Sequence, residues 1–220
     1  MLYARARLIR ALDAFLIASE TMLSYDSYEE CESIMSVQIV RRHFNITEYY
    51  RMAAAGVLSE DDRVELIEGE IVEMNPIGSR HAACVGRLTE FLGRMVSGEA
   101  IIWVQNPVQV NDYSEPLPDV ALLKRRDDFY AQANPQPADV LLIIEVADSS
   151  VEYDRDIKIP LYAGGGIPEV WLVNLPKETI EIYTQPVGDA YQEIRIVKRG
   201  EPLAAKSIPS LIIDADVVLG

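Results

Sequence analysis

The sequence predicts an α/β fold built on a mixed central β-sheet flanked by helices, and three observations carry that expectation. The runs VALL (120–123) and VLLIIEV (140–146) are nearly continuous in Val, Ile and Leu, the composition of strands covered on both faces. Residues 78–96 place Ala82, Val85, Leu88, Leu92 and Met95 at three- and four-residue spacing, the apolar stripe of a helix packed on one side. Helical and strand signals interleave along the chain, so the helices lie against the sheet without the regular alternation of a doubly wound fold.

Taken in order, residues 1–34 differ from the rest. Early arginines and an apolar stretch give way to acids around Glu29, Glu30 and Glu32, and Asp13 interrupts the apolar part, so neither a signal peptide nor a transit peptide fits. The expectation is an N-terminal extension upstream of the true start, with Met35 as that start and 35–220 as one domain; the plain alternative for 1–34 is an extra amphipathic helix. Asn45 or Thr47 can cap a short helix that ends at Gly56. VELIEGEIVEM (64–74) reads as a β-hairpin turning at Glu68-Gly69. The amphipathic helix over 78–96 follows, then strands at AIIWVQ (100–105), PVQV (107–110), DVALL (119–123) and DVLLIIEV (139–146). A helical segment, RDIKIPLYAGG (155–165), ends in a glycine run before Pro168. EVWLVN (169–174), TIEIYT (179–184), EIRIVK (193–198) and a short strand near SLIIDA (210–215) are expected to complete the sheet.

Composition narrows the classes. The 220 residues suffice for one well-buried core, and 49% hydrophobic with 25% charged residues describes an ordinary globular chain. Cys31 and Cys84 alone form neither a disulfide framework nor a CxxC metal pattern, which fits a reducing cytoplasm. No apolar run has the length of a membrane span, so no membrane association is expected. A formal charge of −15 argues against a broad phosphate-binding surface, although a local positive groove remains compatible with it.

Two carboxylates concentrate the chemical information. Asp119 follows Pro118 at a strand entrance, and Glu145 is the one acid in an otherwise apolar strand. A carboxylate in such a place must be paired, hydrogen-bonded or bound to a metal. Each acid alone reads as a sheet-edge, capping or ion-pair residue; the two in adjacent strands, followed by Lys158, read as a metal-dependent phosphodiesterase. Mg²⁺ or Mn²⁺ would take the carboxylates of Asp119 and Glu145 with the carbonyl of Val146, leaving the other positions to water and a phosphate. Lys158 would orient the attacking water or stabilise charge on phosphorus; its plain alternative is a solvated helix lysine tethered to Asp154. Glu65 and His81 are further candidates, for a metal-bound water or second ion and for phosphate contact or proton transfer. The plain alternative for His81 is a helix-start contact. Gly164-Gly165-Gly166 follows a helix and lacks GK[ST], so it is a terminator, and no GxSxG elbow is present.

The segments ELIEGEIVEMNPIGSRHAACV, PLPDVALL and LLIIEVADSSVEYDRDIKIPLYAGGGIPEVWLVN resemble a large bacterial family of proposed endonucleases, often labelled a domain of unknown function, in the restriction-endonuclease-like PD-(D/E)XK superfamily. The resemblance covers about residues 35–220. It implies a restriction-endonuclease-like core, with Asp119 as the PD aspartate, Glu145 as the second acid, and Glu65 and His81 on the family's glutamate and histidine. The superfamily lysine sits two residues after the second acid, where this chain has Ala147; the resemblance moves that role to Lys158 on the following helix. The implied activity is Mg²⁺- or Mn²⁺-dependent DNA cleavage, with DNA as partner and a homodimer as an open assembly state. The competing readings are a nuclease-like binding module without cleavage and a hydrolase of small phosphoesters.

Overall fold

Short capped helices and long apolar strands set the architecture in the computed structural model, which describes residues 40–59 and 61–220. The extension expected over 1–34 lies outside the described residues. Asn45 caps α1 (Ile46–Ala54): its side chain accepts from the Glu48 N–H, and the Glu48 side chain accepts from the Asn45 N–H. Strands β1 (Val64–Ile67) and β2 (Glu70–Glu73) form an antiparallel hairpin. Its turn residues Glu68 and Gly69 both have positive φ, 49° and 81°, as a tight two-residue hairpin turn demands. Gly69 is required twice over, because a Cβ there would lie 2.5 Å from the His43 Cβ.

Helix α2 (Ser79–Met95) then leads to β3 (Ala100–Val104), β4 (Val120–Lys124), β5 (Val140–Ala147), β6 (Glu169–Asn174), β7 (Thr179–Val187) and β8 (Ala190–Lys198). These six strands form one sheet in chain order. Only the β5–β6 pair is parallel, so the sheet is mixed as expected. The parallel crossover from β5 to β6 runs through α3 (Val151–Tyr153), a π turn at Asp154–Lys158, and α4 (Ile159–Gly164).

Strand alternation sorts the core into two layers. Val120, Leu122, Leu142, Ile144 and Trp171 pack with Cys84, Leu88 and Leu92 of α2 and with Val218 of α5 (Ala215–Leu219). Ala121, Leu123, Ile143, Val170 and Leu172 pack with Ile159, Leu161 and Tyr162 of α4.

The structure corrects three sequence expectations. PVQV is not a strand: residues 105–118 run irregularly, with isolated bridges at Asn111–Ser114 and Leu66–Glu115. Prolines at 107, 116 and 118 remove the donors a ladder needs there. SLIIDA does not complete the sheet; β10 (Ile212–Asp214) pairs with β9 (Pro202–Ala204) in a separate two-stranded ribbon. The helical segment starts at Val151, four residues before the expected Arg155, and runs on through Pro160. The π turn explains why: the Ile159 N–H bonds to the Asp154 carbonyl, five residues back, and this widening makes room for the proline ring.

Candidate active site

Register brings the two acids together. Ala121 pairs with Ile143, so continuing two residues outward sets Asp119 opposite Glu145 on the face that α4 covers. The Asp119 N–H donates to Glu145 Oε2 at 3.3 Å, and the Val146 N–H donates to Asp119 Oδ2 at 2.9 Å. Each carboxylate is thus held by the backbone next to the other. Tyr162 from α4 donates its hydroxyl to Glu145 Oε1 at 2.6 Å, and Gln105 Nε2 donates to Asp119 Oδ1 at 3.2 Å.

Lys158 enters from the crossover helix. Its residue is 4% exposed, and its Nζ lies 3.1 Å from Glu65 Oε2 and 3.4 Å from Glu145 Oε1. The alternative of a solvated lysine tethered to Asp154 is therefore set aside. Asp154 instead accepts from the Ser150 hydroxyl at 2.6 Å. Glu65, 2% exposed, is fully engaged: Oε1 accepts from the Tyr153 hydroxyl at 3.2 Å, and Oε2 accepts from the Leu117 N–H at 3.1 Å as well as meeting Lys158. This geometry makes Glu65 an anchor for the lysine. His81, in the first turn of α2, approaches from the other layer and places Nε2 2.9 Å from Asp119 Oδ2, while its buried Nδ1 has no partner among the described residues.

Asp119, Glu145, Val146, Lys158, Glu65 and His81 all line one cavity of about 510 Å³. Sequence reasoning did not single out Tyr153, Tyr162, Gln105 or Arg63. The two tyrosines carry an ordinary helical-core signal, and only the fold shows that their hydroxyls end on carboxylates.

The electrostatics follow from burial and crowding. Burial is the chief reason that Glu145 is pushed up to about 8, against the downward pull of Lys158. Burial works to lower the pKa of Lys158, but the surrounding charges of Glu145, Glu65 and Asp154 outweigh it and raise it, so the ammonium stays charged. Asp154 is raised by burial, with Asp119 and Glu65 adding to the effect. The hydrogen bond to Asp119 raises His81, over the opposing effect of its burial. Among the described residues, no group of three or more His, Cys, Asp or Glu side chains forms a ready-made metal cage.

The sequence pattern of the Uma2 family, described as "Putative restriction endonuclease", matches residues 46–216. The fold is similar to the 1.96 Å crystal structure of a "putative nuclease belonging to DUF820" from Anabaena variabilis ATCC 29413. The two share 15% identity at a TM-score of 0.63, over 80% of this chain and 97% of that one, which is a likeness of fold. No curated protein matches the chain. Among the described residues, no helix is long and apolar enough to cross a membrane.

Proposed function

This chain belongs to the Uma2 family, and from that premise we propose that it is a divalent-metal-dependent endonuclease that hydrolyses phosphodiester bonds of DNA. The observation that carries the proposal is the convergence of two strand-borne carboxylates, a charged lysine from the crossover helix and a histidine from α2 on one open cavity. Core packing alone has no use for a buried lysine facing buried acids, whose desolvation is costly.

The donor set fits a hard cation such as Mg²⁺ or Mn²⁺. Asp119 and Glu145 offer oxygens from adjacent strands, and burial leaves Glu145 in want of a compensating positive charge. Mg²⁺ needs only one or two carboxylates and keeps much of its water, so a three-acid cage is not required. Asp119, Glu145 and the Val146 carbonyl would hold the ion, which when bound supplies Lewis acidity and a more acidic water.

The remaining roles belong to the chain's own groups. Lys158 is ion-paired with Glu65 and Glu145, and its fixed charge favours negative charge developing at phosphorus. Glu65, itself held by Tyr153 and the Leu117 N–H, keeps the ammonium from swinging away. His81 orients Asp119 and is placed to exchange a proton at the cavity wall.

The test is a Mg²⁺ and Mn²⁺ titration with supercoiled and linear DNA. Asp119→Asn and Glu145→Gln should abolish cleavage while circular dichroism stays unchanged, and Lys158→Ala should slow turnover with a smaller effect on metal binding. Wild-type protein without metal-dependent cleavage would leave an interaction module as the better reading, and Glu145→Gln protein that cleaves as well as wild type would overturn the role given to this site.

A further inference from the structure

The cavity is predominantly acidic, since Glu73, Asp148 and Glu152 also line it beside the acids already described. A polyanionic strand approaching this wall meets repulsion unless a cation receives it. Lys158 is buried and committed to two carboxylates, and His81 is bonded to Asp119. Among the residues that line the cavity, Arg63 is the one arginine.

Its placement follows from strand geometry. Arg63 immediately precedes β1, two residues before Glu65, so both side chains fall on the same side of the strand, about 7 Å apart along it. Glu65 is buried at the lysine, whereas Arg63 is exposed. The backbone at Arg63 is fixed, because its carbonyl accepts from the Met74 N–H at 2.8 Å and extends the β1–β2 ladder. The guanidinium is tethered at one end, with Nη1 donating to the Asn75 carbonyl at 3.3 Å. Among the described residues it makes no ion pair, despite the acids on the same wall. The Arg63 charge also reaches His81, where it opposes protonation.

We propose that Arg63 is a phosphate-binding residue that seats one backbone phosphate of the nucleic acid at the mouth of the cavity, next to the bond presented to Asp119, Glu145 and Lys158. This rests on the nuclease reading above and adds how an acidic protein receives its substrate: through one localised arginine contact beside the metal site. A guanidinium held at one nitrogen still offers the planar pair of donors that matches phosphate oxygens.

The experiment measures binding of fluorescein-labelled duplex and single-stranded oligonucleotides by anisotropy, in Ca²⁺, across a KCl series. The proteins are wild type, Arg63→Gln, Arg63→Lys and Arg51→Gln, the last removing the same charge from α1, away from the cavity. Arg63→Gln should weaken binding about tenfold, with the same factor for unrelated sequences, and lower the slope of log K against log salt by about one. Arg63→Lys should recover much of the affinity, and Arg51→Gln should match wild type. In cleavage assays the Arg63→Gln loss should fall on KM more than on kcat. If wild type binds and cleaves but Arg63→Gln has an unchanged salt slope, or Arg51→Gln weakens binding equally, this proposal is overturned and the nuclease reading stands. If wild type binds no oligonucleotide and cleaves none, both fall.

Discussion

Replacing Lys158 with Met removes the one positive charge lying between Glu65 and Glu145 and leaves a side chain of similar length in its place. All three side chains are at most 5% exposed, so water cannot substitute for the ammonium without opening the site. Breaking a buried ion pair by deleting one partner costs about 3–5 kcal/mol. For a chain of this size that corresponds to a fall in melting temperature of roughly 6–20 °C. The loss should also depend on pH. Glu145 has its pKa raised to about 8, so the folded protein binds a proton there that the unfolded chain has already released, and stability declines with pH until that proton leaves. In the wild type the decline stops above about 8. Without Lys158 the Glu145 proton is held to still higher pH, so the variant goes on losing about 1.4 kcal/mol per pH unit where the wild type does not. Urea unfolding at pH 7 and pH 9 measures both quantities. Adding Glu65→Gln should restore part of the stability, because it removes the stranded charge. A Lys158→Met protein as stable as wild type, or one with the same deficit at both pH values, would refute the picture of a buried lysine clamped by two acids.

Four further outcomes are expected. Tyr162→Phe leaves Glu145 Oε1 without its hydroxyl donor and should cost about 1–3 kcal/mol in a urea melt, a loss that Glu145→Gln in the same chain should reduce. Asn45→Ala removes the cap of α1 and should cost about 1 kcal/mol, whereas Asn45→Ser should be close to neutral. Gly69→Ala must accept a φ of 81° and displace His43, so its destabilisation should exceed the roughly 1 kcal/mol of the backbone effect alone. Burial acts to raise Glu181, but its hydrogen bonds to Arg155 and Tyr183 and the Arg155 charge hold it below the usual carboxylate range. A depressed carboxylate stabilises the fold above its unfolded pKa and loses that contribution on acidification. The stability gap between wild type and Glu181→Gln should therefore be full at pH 7 and close as pH falls below about 4.

The legible parts of this chain were those in which one residue type had one physical meaning. Long Val/Ile/Leu runs could only be strands covered on both faces, and β4, β5 and β6 are such strands. An acid inside the run of β5 was costly unless paired, and its combination with Asp119 on the adjacent strand and with Lys158 singled out Glu145 from the sequence. PVQV imitated a strand because a short alternating pattern does not reveal whether a neighbour is there to pair with it. The tyrosines at 153 and 162 stayed hidden because a buried aromatic on a helix reads as packing until the position of its hydroxyl is known. Asp154 read as the tether of a solvated lysine and is instead buried, since sequence spacing within one element says nothing about which other element closes over it; Arg63, exposed at the start of the hairpin, carried no signal of its own.

The π turn at Asp154–Lys158 has a consequence for how the crossover can vary. A π turn is an α-helix that has absorbed one additional residue, and in a helix each residue is worth about 100° of rotation. Asp154 and Tyr153 lie at or before the extra residue, Lys158 and Tyr162 at or after it, and all four depend on facing the same way. Deleting a single residue between Asp154 and Lys158 would restore a regular helix and turn its second half by about a quarter of a revolution relative to the first. Either Tyr153 would leave Glu65 or Tyr162 would leave Glu145. The segment behaves as a phase-locked shaft: a single exchange of a side chain disturbs one contact, but a change of length by one residue disturbs every contact on one side of it.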